Sequence, residues 1–146
     1  MQATWITGGA VQREFPQMSE RHRQKPAMRL NRIVPMQPVS NLATSVAFYE
    51  KLGFTVEERN DGWGWARLRC GDCELMLDTS INLHAGIPRI AVLYLYPDDV
   101  QAFHRAARDN GLVVPELEAT FYGMTEFRLD DPDGNRLWVG QSQGVG

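Results

Sequence analysis

The sequence predicts an α+β fold made of two βαβββ modules, and three observations carry that prediction. Strand-like alternation and helix-like spacing follow one another in the same order twice along the chain. The two expected helices have matching ends, Phe48-Tyr49 before Gly53 and Phe103-His104 before Gly111, which places the repeat at a period of about 57 residues. Finally, the stretch 121–139, FYGMTEFRLDDPDGNRLWV, reads as two strands folded about a tight turn.

The first module opens with a strand over 32–39, interrupted by Pro35 and Pro38. Each proline lacks an amide donor, so this strand belongs at a sheet edge, at a bulge or in a crossing between subunits. Ser40 or Asn41 caps the first helix, whose buried stripe is Val46, Phe48, Tyr49 and Leu52, with Gly53 as its stop. Strands are expected over 54–59, 63–70 and 73–79; in the last, Leu75 and Leu77 alternate with Glu74, Met76 and Asp78. The loop INLHAGIP leads to the second module, whose first strand, 89–96, sets Ala91, Leu93 and Leu95 against Ile90, Val92, Tyr94 and Tyr96. A helix from 97 or 98 to 110 begins at Asp98 and Asp99, two carboxylates suited to a positive helix N-terminus.

Three strands complete the module, over 112–117, 124–130 and 135–140. The last two are joined by Asp131-Pro132-Asp133-Gly134-Asn135, in which Pro132 presets its own φ and Gly134 accepts a positive one. Phe127, Leu129, Leu137 and Val139 fall on one face of this hairpin and are assigned to the core. Glu126, Arg128 and Trp138 fall on the other, the candidate functional or interface face.

With 146 residues the chain accommodates one domain of ordinary globular composition, 43% apolar and 23% charged. No apolar run approaches the roughly 20 residues of a membrane-spanning helix. Residues 1–28 lack periodicity and the apolar segment of a signal peptide, so they are expected to form a disordered tail or an extension upstream of Met28, leaving 29–142 as the two-module domain. Four of the 15 basic and two of the 18 acidic residues lie in 1–28, so the remainder carries 11 against 16. An acidic body argues against nucleic acid as a partner and mildly favours cationic ones. Cys70 and Cys73, the only cysteines, flank Gly71-Asp72 between two alternating runs, which marks a hairpin turn rather than half of a zinc or redox site. Nothing here demands an oxidising compartment, and a cytoplasmic location is expected.

Three motifs in order resemble the vicinal oxygen chelate superfamily of glyoxalases, bleomycin resistance proteins and extradiol dioxygenases. They are Val39-Ser40-Asn41-Leu42 with Phe48-Tyr49 and Leu52-Gly53-Phe54, then Leu93-Tyr94-Leu95 before Asp98-Asp99-Val100, then Tyr122-Gly123-Met124 and Glu126-Phe127 ahead of the Asp131–Asn135 turn. The resemblance covers about residues 30–142 and implies sheets that curl around a central cleft lined by the mixed strand faces. It also implies metal ligands at positions that fall here on Val34, Val92 and Trp138, none of which can bind a divalent cation. No metal or other cofactor is therefore expected.

The mixed faces instead supply Trp63, Trp65, Glu74, Tyr94, Tyr96, Tyr122, Glu126 and Trp138. That set resembles the bleomycin-resistance branch: a non-catalytic homodimer that sequesters a planar, aromatic or cationic small molecule in its clefts. Stacking on Trp or Tyr is worth about 1–3 kcal/mol per ring, and a cation over an aromatic face adds about 0.5–2 kcal/mol. Each of these tryptophans could equally pack in a core or dimer seam, and Glu126 and Arg128 could pair at the surface. The alternative reading is a metal-dependent lyase, transferase or dioxygenase with relocated ligands, drawn from Glu74, Asp78, His84 and Glu126.

Overall fold

The computed structural model describes residues 28–81 and 89–143. Val34–Gly146 clusters as one compact unit, and every element below belongs to it. In chain order these are β1 (Met36–Pro38), α1 (Leu42–Lys51), β2 (Thr55–Asn60), β3 (Trp65–Cys70), β4 (Cys73–Asp78), β5 (Val92–Leu95), α2 (Val100–Asp109), β6 (Glu118–Ala119), β7 (Met124–Asp130) and β8 (Arg136–Ser142). The repeated βαβββ order is present, and it makes two four-stranded mixed sheets of identical topology, β1-β4-β3-β2 and β5-β8-β7-β6. In each, the first strand runs parallel to the last and the other pairings are antiparallel.

Both helices start where a side chain can accept the orphan amides of the first turn. Asn41 Oδ1 accepts from Thr44 N at 2.9 Å, and Asp99 Oδ1 accepts from Gln101 N and Ala102 N, each at 3.1 Å. The Asp99 cap sets the start of α2 at Val100, later than the sequence predicts. Helix α1 packs on β2, β3 and β4, and α2 on β7 and β8. Tyr49, Val46 and Leu52 from α1 join Leu68, Leu77, Phe127, Leu137 and Val139 in one apolar cluster shared by both modules. His104, assigned to a helix, is buried in α2, where its Nε2–H donates to Pro115 O at 2.7 Å.

Two expected strands differ in extent. The opening strand pairs only over Met36–Pro38 and, among the described residues, is an edge strand with no ladder partner on its outer side, as suits its two prolines. Pairing over 112–117 is absent: this stretch runs past Pro115, which has no amide to donate, and only Glu118–Ala119 joins β7. Trp63 lies outside β3, in the turn where its amide donates to the backbone and side-chain oxygens of Asn60. A register shift between Val56 and Glu58 marks a bulge in β2.

The Asp131–Asn135 turn is more than a hairpin loop. Asp131 and Asn135 are buried, and Gly134 has φ +82°. Asp131 Oδ2 accepts from Tyr49 OH at 2.7 Å and from Asn135 Nδ2 at 2.8 Å, while its Oδ1 accepts from the amides of Asp133 and Asn135. Asn135 Nδ2 also donates to Pro38 O at 3.0 Å, and Asp133 accepts from Ser40 N at 3.0 Å. The turn of the second module is thereby bonded to the end of β1, to Ser40 in the β1–α1 connection and to the helix of the first module.

Candidate functional site

The mixed face of the second sheet holds Tyr94, Glu126 and Trp138, and Tyr96 and Tyr122 flank it from the ends of its strands, so five of the predicted site residues gather here. Alternation along β5 and β8 turns Leu93, Leu137 and Val139 toward the helices, so Tyr94 and Trp138, cross-strand partners, share the opposite face. Their rings meet edge to face, with centroids 6.4 Å apart, and Tyr94 also lies 4.8 Å from Tyr96, which is 74% exposed. Across β8, Glu126 on β7 is only 3% exposed. Its Oε1 accepts from Tyr94 OH at 2.8 Å and Tyr122 OH at 2.7 Å, and its Oε2 accepts from Arg128 Nε at 2.7 Å. Arg128 Nη2 donates in turn to Tyr122 OH at 3.0 Å. The same guanidinium lies over the Trp138 ring, Cζ 3.5 Å from its centroid.

This arrangement depends on Gly140. Glu126 and Gly140 are register partners, and Tyr94 must reach over β8 to touch Glu126. A Cβ at position 140 would overlap the Tyr94 hydroxyl and press on the Glu126 Cβ. The electrostatics follow from enclosure. Burial raises the Tyr94 hydroxyl pKa, and the Glu126 hydrogen bond and charge add to it. Burial also pushes Glu126 up, but the bonds from Tyr122, Tyr94 and Arg128 outweigh that, leaving its carboxyl below the usual range. Glu126 is therefore a buried, fully engaged carboxylate, paired with Arg128 but below the surface rather than on it.

The first sheet gathers the other predicted residues into a second group. Trp65 on β3 meets Trp63 at 6.5 Å, and Trp63 is 70% exposed in its turn. Beside them the bulge in β2 delivers Glu57 to two arginines of β3: its carboxylate accepts from Arg67 Nε at 3.3 Å and Arg69 Nε at 2.5 Å. Glu74 on β4 accepts from Arg69 Nη2 at 2.6 Å. The hydrogen bond from Arg69, with those from Arg67, holds the Glu57 carboxyl below its usual range. Trp63 meets Trp65, and Tyr94 meets Tyr96 and Trp138, while the Tyr122 ring meets Phe121 edge to face with centroids 5.0 Å apart.

The three positions at which the resemblance implies metal ligands do not fit a metal. Val34 precedes β1, Val92 opens β5 and Trp138 is central in β8, so two apolar side chains and an indole stand where nitrogen or oxygen donors are needed. Among the described residues no three His, Cys, Asp or Glu side chains converge. Glu74 and Asp78 lie on the first sheet and Glu126 on the second; His84 lies outside the described residues. Cys70 and Cys73 face each other across their hairpin as free cysteines.

Sequence reasoning missed Gly140 and the Tyr49–Asp131 bond as organising contacts. Arg128 was legible as the residue that the register would set against Trp138. Gly140 was legible only as a small residue on a strand lined by large ones.

Comparison with known proteins agrees with this geometry. The family model described as the Glyoxalase/Bleomycin resistance protein/Dioxygenase superfamily matches residues 29–139. A bleomycin resistance protein from Klebsiella pneumoniae is 32% identical over 122 residues, covering 75% of this chain and 90% of the relative. Among solved structures, a bleomycin-binding protein in complex with bleomycin aligns with a TM-score of 0.66 and 27% identity, over 78% of this chain and 100% of that one. A bleomycin resistance determinant encoded on the transposon Tn5 aligns with a TM-score of 0.64 and 26% identity, over 79% and 100%. The fold, the ordered motifs and the family match together establish that this chain belongs to the glyoxalase/bleomycin resistance protein/dioxygenase superfamily.

Proposed function

We propose that this protein is a cytoplasmic, metal-free binder that sequesters a planar cationic or aromatic small molecule of the bleomycin kind, in clefts formed by a homodimer. One observation carries the reading: where the superfamily's enzymes keep a carboxylate ligand, this chain has Trp138, half-buried and in edge-to-face contact with Tyr94, which in turn meets Tyr96. The likeness to bleomycin resistance proteins and to a bleomycin-binding protein supports bleomycin as the first ligand to test. A stacking face with no metal-ligand set favours retention of the bound molecule over its chemical conversion.

The two aromatic groups lie on separate sheets, and a cleft that unites them across two copies would give a ligand two stacking walls. The test is a calorimetric and fluorescence titration of the chelator-treated protein with bleomycin. Saturable binding accompanied by quenching of tryptophan emission is expected. Folded protein that neither binds nor quenches at millimolar bleomycin would remove the reading.

A further inference from the structure

We infer that Arg128 is an internal surrogate for the cation of a ligand: it sits on the face of Trp138, bonded to Glu126 and Tyr122, in the seat that a planar delocalised cation would take, and is displaced when such a cation binds. The inference rests on the proposed reading that a planar group stacks on Trp138. Every contact that would recognise a planar cation is already made by this one side chain. Its guanidinium lies 3.5 Å from the Trp138 ring centroid, donates to the buried carboxylate of Glu126 at 2.7 Å and donates to Tyr122 OH at 3.0 Å. The planar fork and delocalised charge of guanidinium suit stacking and carboxylate pairing at once, which a compact ammonium does not.

The surroundings allow exchange. The Arg128 side chain is 49% exposed whereas its partner is 3% exposed, so the cation can leave the seat without opening the sheet while the anion stays. Glu118 on β6 is the register neighbour of Glu126, and a hollow of about 270 Å³ lined by Glu118, Thr120, Glu126 and Arg128 lies beside the pair. The displaced guanidinium therefore has room and a second carboxylate to meet. An incoming cation restores neutrality at Glu126, so the buried carboxylate is never left unpaired, the condition under which breaking such a pair is most costly. In this arrangement Arg128 sets specificity. It admits planar delocalised cations that can replace it on both partners, and it rejects neutral rings, which can stack but cannot neutralise Glu126.

Removing the surrogate should open the seat. Benzamidinium, a planar aromatic cation, is titrated against wild type, Arg128→Ala and Arg128→Ala/Trp138→Ala, reading thermal stabilisation and tryptophan quenching. Arg128→Ala should take it up saturably at a concentration about tenfold or more below that needed by wild type, by the strength of a hydrogen-bonded charge pair, and the double variant should lose that gain. Arg128→Gln, which keeps most of the stem, is held to the same result if the alanine variant does not fold. Equal responses of wild type and the Arg128 variants, or weaker binding by the latter, overturn the inference. If wild type meanwhile binds bleomycin in a Trp138-dependent way, the proposed function survives that loss. Absence of both responses removes the two together.

Discussion

At the scale of single residues, the second sheet face divides its labour between a ring and a carboxylate. Trp138 offers stacking area that the core does not claim, and its loss should be felt in binding before it is felt in folding. Trp138→Ala should weaken binding of a planar ligand by about 1–3 kcal/mol, measured by calorimetry, with the melting temperature within a few degrees of wild type; a collapse of folding would instead make Trp138 a structural residue. Glu126 makes a different prediction. Its carboxyl is held below the usual range in the folded protein, so it contributes stability above the unfolded Glu pKa of about 4.3, and that contribution is lost as the pH falls through the folded value. Glu126→Gln should therefore flatten the loss of stability below about pH 4.3, followed by denaturant melts at several pH values. Parallel curves for the two proteins would show that Glu126 titrates alike folded and unfolded.

Among elements, the order and face of the strands were legible in the sequence and their ends were not. Alternation in 124–130 and 135–140 placed Phe127, Leu137 and Val139 in the core correctly, because a period of two leaves only one register that buries them. The bounds failed where backbone chemistry overrides side-chain pattern: Pro115 halts pairing over 112–117, and the prolines at 35 and 38 shorten β1. Partners across strands were also hidden, since Tyr94 and Glu126 lie on strands separated by β8 and 32 positions apart. Their contact requires the bare backbone of Gly140 between them. Gly140→Ala should cost about 1–3 kcal/mol by overpacking, and Tyr94→Phe, which removes the hydroxyl that the new methyl would strike, should recover part of that loss. A double-mutant cycle measures the coupling; strictly additive effects would mean that Tyr94 moves aside freely.

For the whole molecule, the two modules are joined in a way composition could not reveal, through a buried bond between the Tyr49 hydroxyl and Asp131 and through one shared core. Each module still presents its aromatic group on or beside its own sheet, Trp65 on the first with Trp63 in the turn before it, Tyr94 and Trp138 on the second with Tyr96 just past β5. If a binding cleft unites the first sheet of one copy with the second sheet of another, damage to the two walls must complement between copies. Trp65→Ala and Trp138→Ala homodimers would each carry one damaged wall in every cleft. A mixed dimer would concentrate both lesions in one cleft and leave the other intact. After the two variants are unfolded together and refolded as an equimolar mixture, about a quarter of the clefts should therefore regain wild-type affinity, by random pairing of protomers in a twofold dimer. Were each cleft instead built within a single chain, every cleft in the mixture would keep one lesion and no high-affinity class would return. Sedimentation of the same mixture supplies the necessary control: a species of only 16.5 kDa at micromolar concentration would exclude the dimer on which complementation depends.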